Sequence, residues 1–298
     1  MKTSTPSNRT AGQETKYRRL VEDSAKHASD LALGKTEADQ DGWQRVLEHG
    51  DELRNAIAEV VVSKTRELSL SNQFADEEVA SSYGYPSGYK PKGITEQTTR
   101  LRELFPGIGY ANEQLAQQPL PPNAEGWFAI PRWQKVAPTY PEAVQKVLDM
   151  IKKTRGKFYN HRDGQIDAQH LRQSAKTAEM LQALGEQQKD HDILVVPCQF
   201  GKRHAGRSVR RAREVMSASE FGLDAFSVGI MLLTHPERLQ DYNDLWIDVP
   251  GDEFSDGGDS SFGRAPYFRF GDDRLGFDAG GVSGAHDRFG SASAVLPQ

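Results

Sequence analysis

The chain has 298 residues, enough for one large domain or two smaller ones, with 27% charged and 37% apolar residues and a net charge of −5. That composition excludes a disordered chain and a strongly basic nucleic-acid coat, so charge placement carries more information than the total. The single cysteine, Cys198, excludes an intramolecular disulfide framework and fits a reducing compartment.

The opening "MKTSTPSNRTAGQETKYRR" lacks the apolar core of a secretory signal. The longest apolar runs, near Ala58–Val62 and Ile230–Leu233, fall far short of the ~20 residues that cross a bilayer. A soluble cytoplasmic protein is expected, with no membrane partner. Residues 1–12 read as a disordered tail and 13–116 as a mainly helical region.

Tyr17, Leu20, Val21, Ala25, Ala28 and Leu31 recur at three- and four-residue spacing, which predicts a helix with one apolar stripe. "LGKTEADQDG" reads as a turn. Asp41 then caps a second helix that carries Trp43, Val46, Leu47, Leu53, Ile57, Val60, Val61 and Leu68 on one face. The pair predicts an antiparallel hairpin. "SSYGYPSGYKPKG" (81–93) fits no regular element, and a weak helix follows at Glu96–Leu104. "QQPLPPNAEG" holds three prolines, so 117–125 reads as a linker with a domain boundary near residue 122.

An α+β domain is expected over 126–298. "GWFAIPRW" predicts a short strand, and "TYPEAVQKVLDMIKKTR" a helix with Pro141 in its first turn. Asp167 is expected to cap a helix from Leu171 to Leu184 that ends at Gly185, before a strand at Ile193–Pro197. Phe226, Val228, Ile230 and Leu232 alternate with Ser227, Gly229, Met231 and Leu233, which predicts another strand. Leu245/Ile247/Val249, Tyr267–Phe270 and Leu275/Phe277 continue the strand pattern, with Gly-Asp-Asp as a tight turn. The expected architecture is therefore the helical hairpin followed by a mostly antiparallel sheet of four or five strands packed on helices. "GSASAVLPQ" reads as an edge strand or docking tail.

The segment "GKRHAGRSVRRARE" is the strongest candidate site. Lys202, Arg203, Arg207, Arg210, Arg211 and Arg213 stand against Glu214 alone, and Ser208 is placed to cap a short helix. Guanidinium forks beside a helix start suit phosphate, so nucleic acid or another anionic ligand is the expected partner. The competing reading pairs these arginines internally with residues 241–298, where ten Asp and one Glu face four Arg. A second patch, Arg132, Lys135, Lys146, Lys152, Lys153, Arg155 and Lys157 before Phe158 and Tyr159, suits single-stranded nucleic acid; several of its cations also offset a helix dipole.

Enzyme signatures are thin. A hydrolase would need His191, Asp192, Cys198 and His204 to converge. "DEFSDGGDSSFG" lacks calcium-loop spacing, no histidine pair has helical metal spacing, and "LALGKT" has Ser29 where a phosphate loop needs glycine. Neither metal nor cofactor is expected. The leading expectation is a binding protein whose basic helix meets a phosphate-bearing partner, with docking or self-association through the N-terminal helices.

Taken together, "WFAIPRW", "ILVVPCQFG", "HAGRSVRRARE", "LLTHPERL", "GDEF" and "FGSASAVLPQ" resemble uncharacterised bacterial hypothetical proteins over residues 126–298. The resemblance implies a bacterial intracellular origin and one coherent C-terminal domain. It brings no activity and no binding residues.

Overall fold

A computed structural model describes residues 10–69, 72–259 and 261–296. They form two compact units that divide after Ser69. Most of the expected tail (1–9) lies outside the described residues, whereas Ala11 and Gly12 already belong to the first helix.

In the first unit, α1 (Ala11–Lys35) starts at a capping box, with the Thr10 side chain on the Gln13 N–H and the Gln13 side chain on the Thr10 N–H. The expected second helix is broken at His49 into α2 (Gln40–Glu48) and α3 (Gly50–Ser69). Asp39, not Asp41, caps α2 by accepting the Gly42 N–H. Tyr17 near the start of α1 hydrogen-bonds Thr65 near the end of α3 at 2.6 Å, as a hairpin requires. Much of the predicted apolar stripe faces solvent within this unit: Leu20 is 64% exposed and Val60 63%. The Leu68 side chain lies outside the described set.

The second unit holds the core. Residues 72–93 run without regular structure but are tied down: Lys92 N–H donates to His235 Nε2, and Tyr85 and Tyr89 pack on the core. Helix α4 (Ile94–Leu104) follows. The proline-rich 117–125 segment divides nothing, because Glu125 is hydrogen-bonded to the Cys198 carbonyl and to Tyr85. Its prolines serve an irregular surface crossing, a composition that looks the same as a linker.

Next come β1 (Gly126–Pro131), α5 (Tyr140–Arg155, capped by Thr139), β2 (Phe158–Asn160) and β3 (Leu171–Gln173). Leu171 thus lies in a strand. Asp167 closes a turn by accepting the N–H groups of Gln169 and His170, and Ser174 caps α6 (Ala175–Gln187). Strand β4 (Ile193–Gln199) is wholly buried. Helix α7 (Val209–Val215) is capped by Ser208 as expected, and β5 (Glu220–Gly222) follows.

The alternation at 226–233 misleads. These residues form α8 (Ala225–Thr234), which is apolar all round because every one of its residues is buried. The Asp224 side chain caps it on the Ser227 N–H. A Cβ at Gly229 would stand 2.4 Å from Val147 of α5, so glycine permits the close helix crossing.

The remaining strands are β6 (Trp246–Asp248), β7 (Asp252–Phe254), β8 (Arg264–Gly271), β9 (Arg274–Gly281), β10 (Phe289–Ser291) and β11 (Ser293–Val295). Two sheets result instead of one. The first has the order β1-β4-β11-β5, and the second joins β10-β6-β8-β7-β3, with β9 paired to β8 and β2 paired to β9. All ladders are antiparallel except β10–β6 and β2–β9. Asp272 and Asp273 take φ of 52° and 56°, the left-handed pair a two-residue hairpin turn demands. The C-terminal segment is no edge: β11 sits between β4 and β5, with Ala294 paired to both Cys198 and Phe221.

Candidate functional site

Strand β4 delivers the chain to Gly201, whose φ of +116° turns it sharply, and Ser208 then starts α7. The irregular segment 72–81 packs beside this turn. Val79 N–H donates to the Gly206 carbonyl, and Ser208 N–H to that of Glu77. A Cβ on Gly206, at φ +79°, would meet the Val79 oxygen at 2.0 Å. Gly206→Ala is therefore expected to lower unfolding free energy by about 2 kcal/mol, read from urea titration; an unchanged midpoint would refute this packing.

The same contact brings Glu77 and Glu78 onto the arginines. Arg210 forks onto Glu77 and lies 4.3 Å over the Phe74 ring. Arg211 binds Glu78, Glu214 at 2.9 Å and Asn72 at 3.2 Å. Arg207 reaches Glu78 at 3.4 Å and donates to His204 Nδ1 at 3.2 Å. Arg203 binds Glu220 at 3.1 Å and Asn123 at 2.6 Å. Arg213 donates to the carbonyls of Pro250 and Asp252 at 2.8 and 2.7 Å. Lys202 is exposed, its amine 5.8 Å over the Tyr85 ring.

The internal pairing expected with residues 241–298 is thus corrected in its partners. The carboxylates come from Glu77, Glu78, Glu214 and Glu220, and the C-terminal region gives Arg213 carbonyl oxygens only. The bond from Arg210 draws the Glu77 carboxyl below its usual range. Part of the second patch is spent likewise: Arg132 donates to the carbonyls of Gly185, Gln188 and His191 around the end of α6, Lys135 pairs with Asp192 at 2.9 Å, and Lys146 and Arg155 donate to backbone carbonyls.

His191, Asp192, Cys198 and His204 do not converge. His191 and Asp192 precede β4 and Cys198 is near its far end, about 20 Å on at ~3.3 Å per residue. The Cys198 thiol is fully buried, reaches only the Val196 carbonyl at 3.5 Å, and burial pushes its pKa well up, the reverse of an activated nucleophile.

His204 belongs to a different cluster. Glu220 Oε1 accepts from His204 Nε2 at 2.8 Å, Ser293 Oγ at 2.7 Å and Arg203 Nε at 3.1 Å, and both Glu220 and His204 are 0% exposed. A guanidinium only donates, so Nδ1 is the acceptor for Arg207 and the proton sits on Nε2, facing Glu220. Burial lowers the His204 pKa and favours this neutral form. Burial alone would raise Glu220, but the hydrogen bonds from His204 and Ser293 and the positive charge of Arg203 outweigh it and hold the carboxyl at about 2.

Three aspartates that sequence reasoning passed over are buried at the sheet ends. Asp252 accepts from the Tyr140 hydroxyl at 2.6 Å and the Ala225 N–H at 2.8 Å; Asp224 accepts from Gln173 and Ser227. Burial pushes the pKa of all three up, and that of Asp248 to about 7. The signal was present in "GLDAF" and "LWIDVP", where a lone acid interrupts apolar residues. The adjacent cleft, lined by Lys176, Thr177, Arg213, Met216 and Pro250, has about 190 Å³, below the ~300 Å³ at which small-molecule sites begin. No family model, curated protein or solved structure matches the chain.

Proposed function

We propose that the chain is a non-catalytic binding protein in which the Arg203–Arg213 segment is an internal clasp rather than the contact surface. One observation carries this reading: each of its five arginines meets a carboxylate or a carbonyl of the same unit. A phosphate would have to displace those partners, at the cost of leaving Glu77, Glu78 and Glu220 without their cations. The buried cysteine and the separated histidines supply no nucleophile and base within reach of each other.

The test is Arg210→Ala/Arg211→Ala. The double variant is expected to melt several degrees below the parent chain and to bind any ligand of the parent with unchanged affinity. An unchanged melting temperature, or a ligand lost without loss of stability, would return α7 to the role of binding site.

A further inference from the structure

The second sheet turns its inner face, with Ile247, Phe268, Leu275 and Phe277, into the core. Its other face carries rings and arginines that touch one another in an unbroken row. Arg288 donates to the Tyr83 hydroxyl at 2.7 Å and lies 3.8 Å over Tyr242 and 5.1 Å over Trp246. Arg269 of β8 lies 5.9 Å over the other ring system it shares, Trp246 of β6, and reaches His161 at 3.3 Å. His161 packs edge-on against Tyr159 of β2 at 4.5 Å, and Arg274 of β9 caps the Tyr159 ring at 4.6 Å.

The register explains the continuity. Gly276 of β9 is paired with Arg269 on one side and Tyr159 on the other. With no side chain at Gly276, Arg269 and His161 meet across it; a Cβ there would lie 3.6 Å from Arg269 and 3.8 Å from His161. Phe289 of β10, 5.0 Å from Trp246, and Tyr267 of β8, 5.2 Å from Phe289, extend the aromatic surface.

These arginines differ from those of α7 in what holds them. Arg269 and Arg288 are oriented by rings, a hydroxyl and an imidazole, with no carboxylate paired to either among the described residues. Arg274 has only the exposed Asp272 at 3.8 Å. The neighbouring Asp278 is committed to Arg162 at 2.7 Å and to Tyr267. Tyr159 and Tyr242 are 46% and 52% exposed, so each keeps ring surface open beside its guanidinium. Trp246 Nε1, in the middle of the row, is buried without an acceptor.

We propose that this face binds single-stranded nucleic acid, with bases stacked on the open rings and guanidinium planes and phosphates paired to Arg269, Arg274 and Arg288. Alternating rings and cations match the alternation of base and phosphate along one strand. From β6 to β2 the row crosses three strand spacings, about 14 Å, room for roughly three bases. A duplex hides its base faces and offers only phosphates. The inference names the partner of the binding protein proposed above and rests on that reading.

The experiment is fluorescence anisotropy of labelled single-stranded oligonucleotides of about 12 nucleotides with the full chain, at low and moderate salt. Tyr159→Ala and Tyr242→Ala, both at exposed rings, are each expected to weaken binding roughly tenfold while leaving the melting temperature near that of the parent. Arg269→Gln should reduce the salt slope by about one. Arg210→Ala/Arg211→Ala should bind as the parent does. No binding at low salt, binding indifferent to both tyrosine variants, or equal competition by duplex DNA or an acidic peptide would overturn the inference. The melting result for the α7 double variant stands apart from all of these, so failure of the clasp and failure of the sheet face are separately visible.

Discussion

Glu220→Ala is expected to lower the unfolding free energy at pH 7 by about 3–5 kcal/mol, among the largest effects of any single polar substitution in the chain. The carboxylate is 0% exposed and one oxygen receives His204, Ser293 and Arg203 together. Alanine removes the acceptor and leaves two fully buried donors, His204 Nε2–H and the Ser293 hydroxyl, with nothing to donate to. Arg203 would retain only Asn123 for its guanidinium, and Ser293 only its bond from Gln199. Glu220→Gln keeps an acceptor oxygen of the same shape and should cost clearly less. Urea titrations of the parent and both variants decide it; equal losses for Ala and Gln would show that volume, not the hydrogen bonds, was being measured.

The same group predicts a pH dependence. A carboxyl held at about 2 when folded and near 4.5 when unfolded adds stability that is fully present above pH ~4.5. That contribution is lost as pH falls toward 2, because the unfolded chain takes up the proton first. The gap between the parent and Glu220→Ala should therefore narrow in acid. A gap constant from pH 7 to pH 2.5 would contradict the assignment.

What the sequence made legible was local. Ser208 as a cap, the Asp272–Asp273 turn and the helix over 140–155 each depend on residues within a few positions, and each stands as expected. The helical hairpin and the α+β class also follow from periodicity. Residues 226–233 did not, because a helix buried on every side loses its polar face and with it the 3.6-residue signal. Asp224, one residue upstream, was the overlooked cue: a capping acid marks a helix start where periodicity is silent.

The partners of the arginines were hidden for a different reason. Arg210 and Glu77 are 133 positions apart, so counting charges within a segment made the arginines look free. The acidic stretch was the obvious local counterweight, yet Asp248 and Asp252 are buried, and Asp256, Asp278 and Glu253 are held by Arg162, Arg264 and Arg172. Conversely, the ring-and-arginine row draws on residues from positions 83 to 288, and no window of sequence contains it. Only Tyr159, noted beside the second basic patch, pointed toward it.

Asp248→Asn is expected to stabilise the protein at neutral and alkaline pH, by up to about 4 kcal/mol, and to leave it little changed near pH 4. Asp248 is buried between strands, and burial raises its carboxyl from 3.8 to about 7 despite the nearby charge of Arg213. That guanidinium is already engaged by two carbonyls, so its charge helps Asp248 without a direct bond to complete it. The sign follows from proton counting. Below pH ~4 both folded and unfolded chains hold the proton. Between about 4 and 7 the unfolded chain has released it and the folded chain has not, so stability falls steadily as pH rises. Asparagine has the shape of the protonated acid and never ionises, so the variant should lose this contribution to the slope. Asp224 and Asp252 are shifted in the same direction and keep theirs, so some decline persists in the variant. Urea unfolding at pH 4, 5.5 and 7.5 reads the difference directly. If the variant shows the parent's pH dependence, or is less stable at pH 7.5, Asp248 is ionised and hydrogen-bonded in the folded chain, and the buried acid is a structural anchor instead of a proton held against its preference.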